Sequence, residues 1–166
     1  MASDISILLS TYLSDNYIKK YYQNIIELTN VANIQLIQIL NNPTNLELKY
    51  RQKFIELQTN LKSTSFKYDH QIVERESLYA SWNRAIKLSR SRLITISNVD
   101  DIRYPEGLKA QISALKNCND MHLLGSYCHI KTKVGLKKNI ISKSANLVKA
   151  DFFSGMYVGP FFVWTN

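Results

Sequence analysis

The sequence predicts a mainly α-helical bundle with long amphipathic, coiled-coil-like helices, followed by a C-terminal strand-like or extended arm. Three observations lead there. Apolar residues recur at three- and four-residue steps through much of residues 1–125, neither Gly nor Pro occurs between Thr44 and Tyr104, and the period changes after Ser126. On this reading residues 1–125 are a helical bundle domain, and residues 126–166 are a basic, aromatic-rich arm of the same structural unit.

The first helical stretch begins near Ser3 or Asp4, with Ile5, Leu8, Leu9, Tyr12 and Leu13 at helical spacing, and restarts at the N-cap types Ser14 and Asp15. Ile18, Tyr22, Ile25, Leu28, Ala32, Leu36 and Ile39 then form one apolar stripe, which the turn signal Asn41-Asn42-Pro43 ends. The second stretch opens on Thr44-Asn45-Leu46-Glu47, a capping box in which Thr44 takes the amide of Glu47 and Glu47 reaches back. Tyr50, Phe54, Leu57, Leu61 and Tyr68 follow and, after a slip, Ile72, Tyr79, Trp82, Ile86 and Leu93. One helix over residues 45–95 would be about 75 Å long, so a break at Ser63-Thr64-Ser65 competes evenly with an unbroken helix. The third stretch follows Asp100-Asp101, starts at Pro105 in the first helical turn, carries Leu108, Ile112 and Leu115, and stops by Gly125. Beyond it, Ile130, Thr132 and Val134 alternate with Lys131 and Lys133 in strand fashion, and Gly155, Gly159 and Pro160 argue against a helix near the end.

A chain of 166 residues with 45% hydrophobic and 20% charged residues suits one globular domain, and 5 Gly, 3 Pro and 2 Cys exclude collagen-like and disulfide-rich classes. The 18 Ile, 15 Asn and 15 Lys fit an AT-rich coding bias. Two cysteines and no basic leader with a small-residue cleavage site lead to the expectation of an intracellular protein, in the cytoplasm or within a particle. No apolar run reaches the roughly 18 to 20 residues of a membrane-spanning helix.

Chemistry-bearing clusters are few. Cys118 and His122 share a helix face, and Cys128 or His129 could add a third metal ligand, but the spacing matches no usual zinc pattern. The preferred reading is a small apolar Cys118 in the helix stripe and a partly exposed histidine. The nucleophile elbow, the phosphate-binding glycine motifs and the zinc-protease motif are all missing. Glu74 and Glu76 are two apart and point different ways on a helix, and Asp100-Asp101 reads as a helix boundary. The expectation is therefore a protein without cofactor, metal or catalytic residues.

The net charge of +8 is uneven: residues 126–166 hold six Lys against one Asp. Arg84, Lys87, Arg90 and Arg92 form a cationic helix face, and Lys131, Lys133, Lys137 and Lys138 a second basic region; both are candidates for non-specific phosphate contacts on nucleic acid, or for a merely solvated face. The last fifteen residues hold Phe152, Phe153, Tyr157, Phe161, Phe162 and Trp164, which must fold back, dock into a neighbouring subunit or insert at a membrane surface. These features predict a non-enzymatic structural or assembly subunit with protein partners, for example a component of a viral or phage particle. The alternative is a basic nucleic-acid-binding protein, with a metal-binding or enzymatic protein using Cys118, His122 and Cys128 as a minor one, and no small-molecule substrate is expected.

Overall fold

The computed structural model describes residues 3–60, 66–117, 123–124, 128–132, 135–140 and 163–165. The chain alternates strand and helix: β1 (Ile5–Thr11), α1 (Ile18–Leu28), β2 (Ile34–Asn41), α2 (Asn45–Asn60), β3 (Phe66–Val73), α3 (Leu78–Leu88), β4 (Leu93–Ser97), α4 (Pro105–Asn117), β5 (Leu123–Leu124), β6 (Cys128–Thr132), β7 (Gly135–Ile140) and β8 (Val163–Thr165). Six strands form one sheet in the order β3-β2-β1-β4-β8-β5. β3, β2, β1 and β4 run parallel, while β8 is antiparallel to both β4 and β5. β6 and β7 pair as a separate antiparallel hairpin with an irregularity at Ile130/Lys131.

This α/β architecture corrects the expected helical bundle and its coiled-coil-like helices. The supposed first helix at Ile5 is β1, and the stripe thought to run from Ile18 to Ile39 is α1 followed by β2. The supposed long helix over residues 45–95 is α2, β3, α3 and the start of β4. The error has a physical cause. Parallel strands covered on both faces read as near-continuous apolar runs without alternation, and every residue of β2 is buried. Leu36 and Ile39 therefore continued the period of α1 by coincidence. The turns between elements were hidden because Asn42 and Leu13, not glycine, take the positive φ values of 44 and 49.

Both sheet faces are packed. On one, Ile5, Ile7 and Leu9 of β1 and Ile34 and Leu36 of β2 meet Tyr21, Tyr22 and Ile25 of α1, Phe54 of α2 and Leu108, Ile112 and Leu115 of α4. On the other, Leu8, Ile37, Ile39 and Ile94 meet Ala85 of α3, with Val73, Ile86 and Trp164 at the margin. Each such side chain removed from water contributes roughly 1.5–3 kcal/mol, so β1, covered on both faces and hydrogen-bonded along both edges, is the natural centre of the fold.

Two helix starts are as expected. The Thr44 hydroxyl accepts from Glu47 N at 3.1 Å and Glu47 Oε2 accepts from Thr44 N at 2.8 Å, completing the capping box. Pro105 opens α4. Glu47 is buried and also accepts from Ser14 N at 2.9 Å, which ties the β1–α1 loop to the head of α2. Among the described residues no helix is long and apolar enough to cross a membrane.

Candidate functional site

The order β3-β2-β1-β4 makes the chain depart from β1 toward β2 on one side and return to β4 on the other. In open parallel sheets the crevice beyond the strand C-termini at such a reversal is where ligands bind. A cleft of about 770 Å³ lies there, lined by Ser10 and Tyr12 from the end of β1, Asn41 from β2, Arg75, Glu76, Ser77 and Leu78 leading into α3, and Asn98, Val99 and Asp100 after β4. Its size falls in the roughly 300–1,000 Å³ range of small-molecule sites.

Several of the lining side chains are held by named partners. Asn41, the last residue of β2, is buried; its amide nitrogen donates to Ser10 Oγ at 3.1 Å and Ser81 Oγ at 3.0 Å, and its oxygen accepts from Glu76 N at 3.0 Å. The cleft floor is thus a closed polar network joining β1, β2 and α3. Glu76 accepts from Ser81 Oγ at 3.0 Å and forms a two-pronged ion pair with Arg84, Nε to Oε1 at 3.2 Å and Nη2 to Oε2 at 2.9 Å. The hydrogen bonds from Arg84 hold the Glu76 carboxyl below its ordinary range. Ser77 caps α3 by accepting from Ala80 N at 3.2 Å, so the positive end of that helix faces the cleft. Arg75 lies over the Tyr12 ring, its Cζ 4.5 Å from the centroid, a cation–π contact that leaves both side chains at the cleft wall.

β4 ends in Ser97-Asn98-Val99-Asp100-Asp101. Asp100 is exposed to the cleft. Asp101 is half-buried and accepts from Asn98 Nδ2 at 2.9 Å, while its N–H donates to Asn98 O at 3.2 Å. Burial, and secondarily the neighbouring Asp100 charge, raise the Asp101 carboxyl above its ordinary range, against hydrogen bonding from Asn98 and the charge of Arg103. Behind them Arg103 is buried, and burial lowers its guanidinium to about 10, so it is charged at neutral pH. No cluster of three or more His, Cys, Asp or Glu occurs among the described residues. Asp100 lines the cleft and Asp101 follows it in the chain; carboxylate oxygens are the hard donors that Mg²⁺ or Mn²⁺ takes when substrate phosphates supply the remaining ligands.

The residues singled out from sequence lie elsewhere. Arg84 is engaged by Glu76 beside the cleft, and Lys87, Arg90 and Arg92 are exposed at the far end of α3 and before β4. Cys128, His129 and Lys131 fall on β6, and Lys137 and Lys138 on β7. Trp164 lies in β8, paired with Ile94 and Leu123 and packed on the α3 side of the sheet. Cys118, His122, Lys133, Phe152, Phe153, Tyr157, Phe161 and Phe162 lie outside the described residues. Sequence reasoning missed Ser10, Tyr12, Asn41, Arg75, Asn98 and Asp100 as a set. The available signal was the run Leu93-Ile94-Thr95-Ile96-Ser97 followed by Asn98 to Asp101 and Pro105, an apolar strand, an acidic turn and a helix start.

No family model matches the chain. An uncharacterized glycosyltransferase of Methanocaldococcus jannaschii is 29% identical over 126 residues, 75% of this chain and 41% of the relative. Among solved structures, a mannosyltransferase from Pyrobaculum calidifontis in complex with GDP-Man and Mn²⁺ superimposes with a TM-score of 0.69 at 10% identity, over 99% of this chain and 45% of that one. Residues 1–349 of S. aureus TarS in complex with UDP-GlcNAc give a TM-score of 0.56 at 17% identity, over 68% and 31%. The chain thus spans less than half the length of each. It has the fold of these two solved structures. That the sequence relative is a glycosyltransferase and the first of these structures a mannosyltransferase overturns the expected non-enzymatic structural subunit, particle component or nucleic-acid-binding protein. It equally overturns the expectation of protein or nucleic-acid partners and no small-molecule substrate, since two of these similar proteins are solved with nucleotide sugars.

Proposed function

We propose that this chain binds a nucleoside-diphosphate sugar in the cleft over β1, β2 and β4 and forms the donor-binding part of a glycosyltransferase. The observation that carries this reading is Asp100, with Asp101 and Asn98 beside it, opening onto a cleft of about 770 Å³ at the reversal point of the sheet. The ligands named for the two solved neighbours, GDP-Man with Mn²⁺ and UDP-GlcNAc, support the same class of substrate.

The side chains divide the work by chemistry. Tyr12 offers an aromatic face for a nucleobase, and Arg75 beside it offers guanidinium donors to a phosphate. The N-terminus of α3 favours negative charge at the same wall. Asp100 and Asp101 would hold a divalent cation, which when bound neutralises charge on the diphosphate. In glycosyl transfer an acceptor hydroxyl bonds to the anomeric carbon while the bond to the diphosphate oxygen breaks with its electron pair. The hydroxyl proton must pass to a base. Glu76, already engaged by Arg84 and Ser81, is poorly suited to that part, so the described cleft serves donor recognition.

Calorimetric titration with UDP- and GDP-sugars, with Mn²⁺ or with a chelator, tests the reading. Binding is expected with Mn²⁺, and D100N should weaken it by about 10- to 100-fold, the usual cost of losing a metal-site group. Wild-type protein that binds no nucleoside diphosphate under either condition would overturn the reading.

A further inference from the structure

The loop carrying Asp100 and Asp101 runs from the end of β4 at Ser97 to the start of α4 at Pro105, and its anchor is distant in sequence. The side chain of Asn24, on α1, grips the backbone of Arg103 from both sides: Oδ1 accepts from Arg103 N at 2.9 Å and Nδ2 donates to Arg103 O at 2.9 Å. This reproduces the paired bonds of a strand ladder where the chain has left the sheet. The Arg103 side chain then reaches inward, donating from Nη2 to Thr95 Oγ1 of β4 at 2.8 Å and from Nη1 to Gln111 Oε1 of α4 at 3.1 Å. Asn24, Arg103, Thr95 and Gln111 are all buried, at 5%, 6%, 0% and 4% exposure.

An arginine is an expensive choice for such a place. Taking a charged group out of water carries a desolvation cost that its partners must offset. A guanidinium fork, however, can hold three elements at set angles as an apolar chain cannot. Arg103 is three residues from Asp100, so a shift of its anchor moves the carboxylate.

We propose that Asn24 and Arg103 are positioning residues for the diphosphate end of the cleft: the clamp of Asn24 on the Arg103 backbone, and the Arg103 fork between β4 and α4, aim the loop so that Asp100 faces the donor. The inference rests on the nucleotide-sugar reading of the cleft. Neither residue touches the ligand; both act through the loop.

The test uses the full chain with Mn²⁺ and UDP or GDP as probes. It has three readouts: Mn²⁺-dependent nucleotide affinity, melting temperature, and amide exchange across residues 97–104. N24A and R103M are expected to weaken Mn²⁺–nucleotide binding at least about tenfold and to speed exchange in that loop. R103M also withdraws a donor from buried Thr95 Oγ1 and Gln111 Oε1 and should melt below wild type, so affinity is compared on the folded protein. N24D, which keeps an acceptor for the Arg103 N–H but cannot donate to its carbonyl, should fall between. I25V, on the same helix but facing the core, should lower the melting temperature and leave affinity alone.

Folded N24A that binds within about threefold of wild type, well short of the usual outer-shell effect, with unchanged loop exchange, would overturn the inference. Were N24A not to fold, N24D would carry the same decision. Wild-type protein that binds neither nucleotide would sink the donor-site reading instead, and loop exchange in N24A would still decide whether the clamp exists.

Discussion

Tyr12 and Asp100 both line the cleft, after the ends of the neighbouring strands β1 and β4, and should fail differently. Y12A removes a stacking face and should weaken nucleoside diphosphates by roughly 1–3 kcal/mol, the cost of losing one base–aromatic contact, with or without Mn²⁺. D100N should act only where Mn²⁺ is present. Titrating UDP and GDP into each variant in Mn²⁺ and in chelator separates the two, and equal losses in all conditions would contradict the assigned roles. A second residue-level prediction concerns the phenols. Tyr22 donates to Gln38 Oε1 at 2.8 Å and Tyr68 to the same atom at 2.6 Å. Burial pushes Tyr22 up to about 12, and burial, with the Tyr22 charge, pushes Tyr68 up as well. A phenol whose folded value exceeds the ordinary value of about 10 keeps its proton longer in the folded state. Its stabilisation is therefore complete below about pH 10 and is lost as pH rises through the folded value. Stability of the wild type should fall above about pH 10, less steeply in Y22F, and phenolate absorbance should report both groups as silent until the chain unfolds.

At the level of single elements, the start of α2 offers the clearest test. Thr44 and Glu47 cap each other, and Glu47 additionally holds Ser14 of the β1–α1 loop. T44A should cost about 1 kcal/mol, the usual price of an N-cap. E47A should cost more, because Ser14 N, itself in a buried residue, loses its acceptor; urea unfolding of the two variants checks the order. These motifs were legible in the sequence because capping is local: Thr44, Glu47 and Pro105 announce their helices from three or four neighbouring residues. The strands were not. β1, β2 and β4 are short apolar runs, and such runs distinguish helix from strand only by length and by their flanking turns. Here Asn and Ser occupy the turns where glycine would have marked the boundaries, as at Asn42. The stripe through α4 was legible for the opposite reason: Leu108, Ile112 and Leu115 face one core while the other side meets solvent, so the 3.6 period survives.

For the molecule as a whole, β1 is the element on which both cores depend. I7A, in the middle of that strand, should cost about 2–5 kcal/mol in a single cooperative transition, and a biphasic curve would contradict one shared core. Asp4, just before β1, accepts from Asn33 N at 2.9 Å and pairs with Lys116 near the end of α4. Burial works to raise its carboxyl, but Lys116 and the Asn33 amide outweigh it and the net shift is downward. A lowered carboxylate stabilises above its unfolded value, about 3.9, and loses that contribution as pH falls through the folded one. D4N should therefore be less stable than wild type by at most about 1 kcal/mol at neutral pH, with the gap closing below about pH 4. Much of this protein was set by local sequence: one amphipathic face for α1, the cap of α2, the proline start of α4, and the absence of familiar local catalytic motifs. Tertiary structure alone decided the rest. Ser10, Asn41, Glu76 and Asp100 are far apart along the chain, and they converge because parallel strands deliver all their C-termini to one edge. That convergence is a property of strand order, which no spacing within a single segment records.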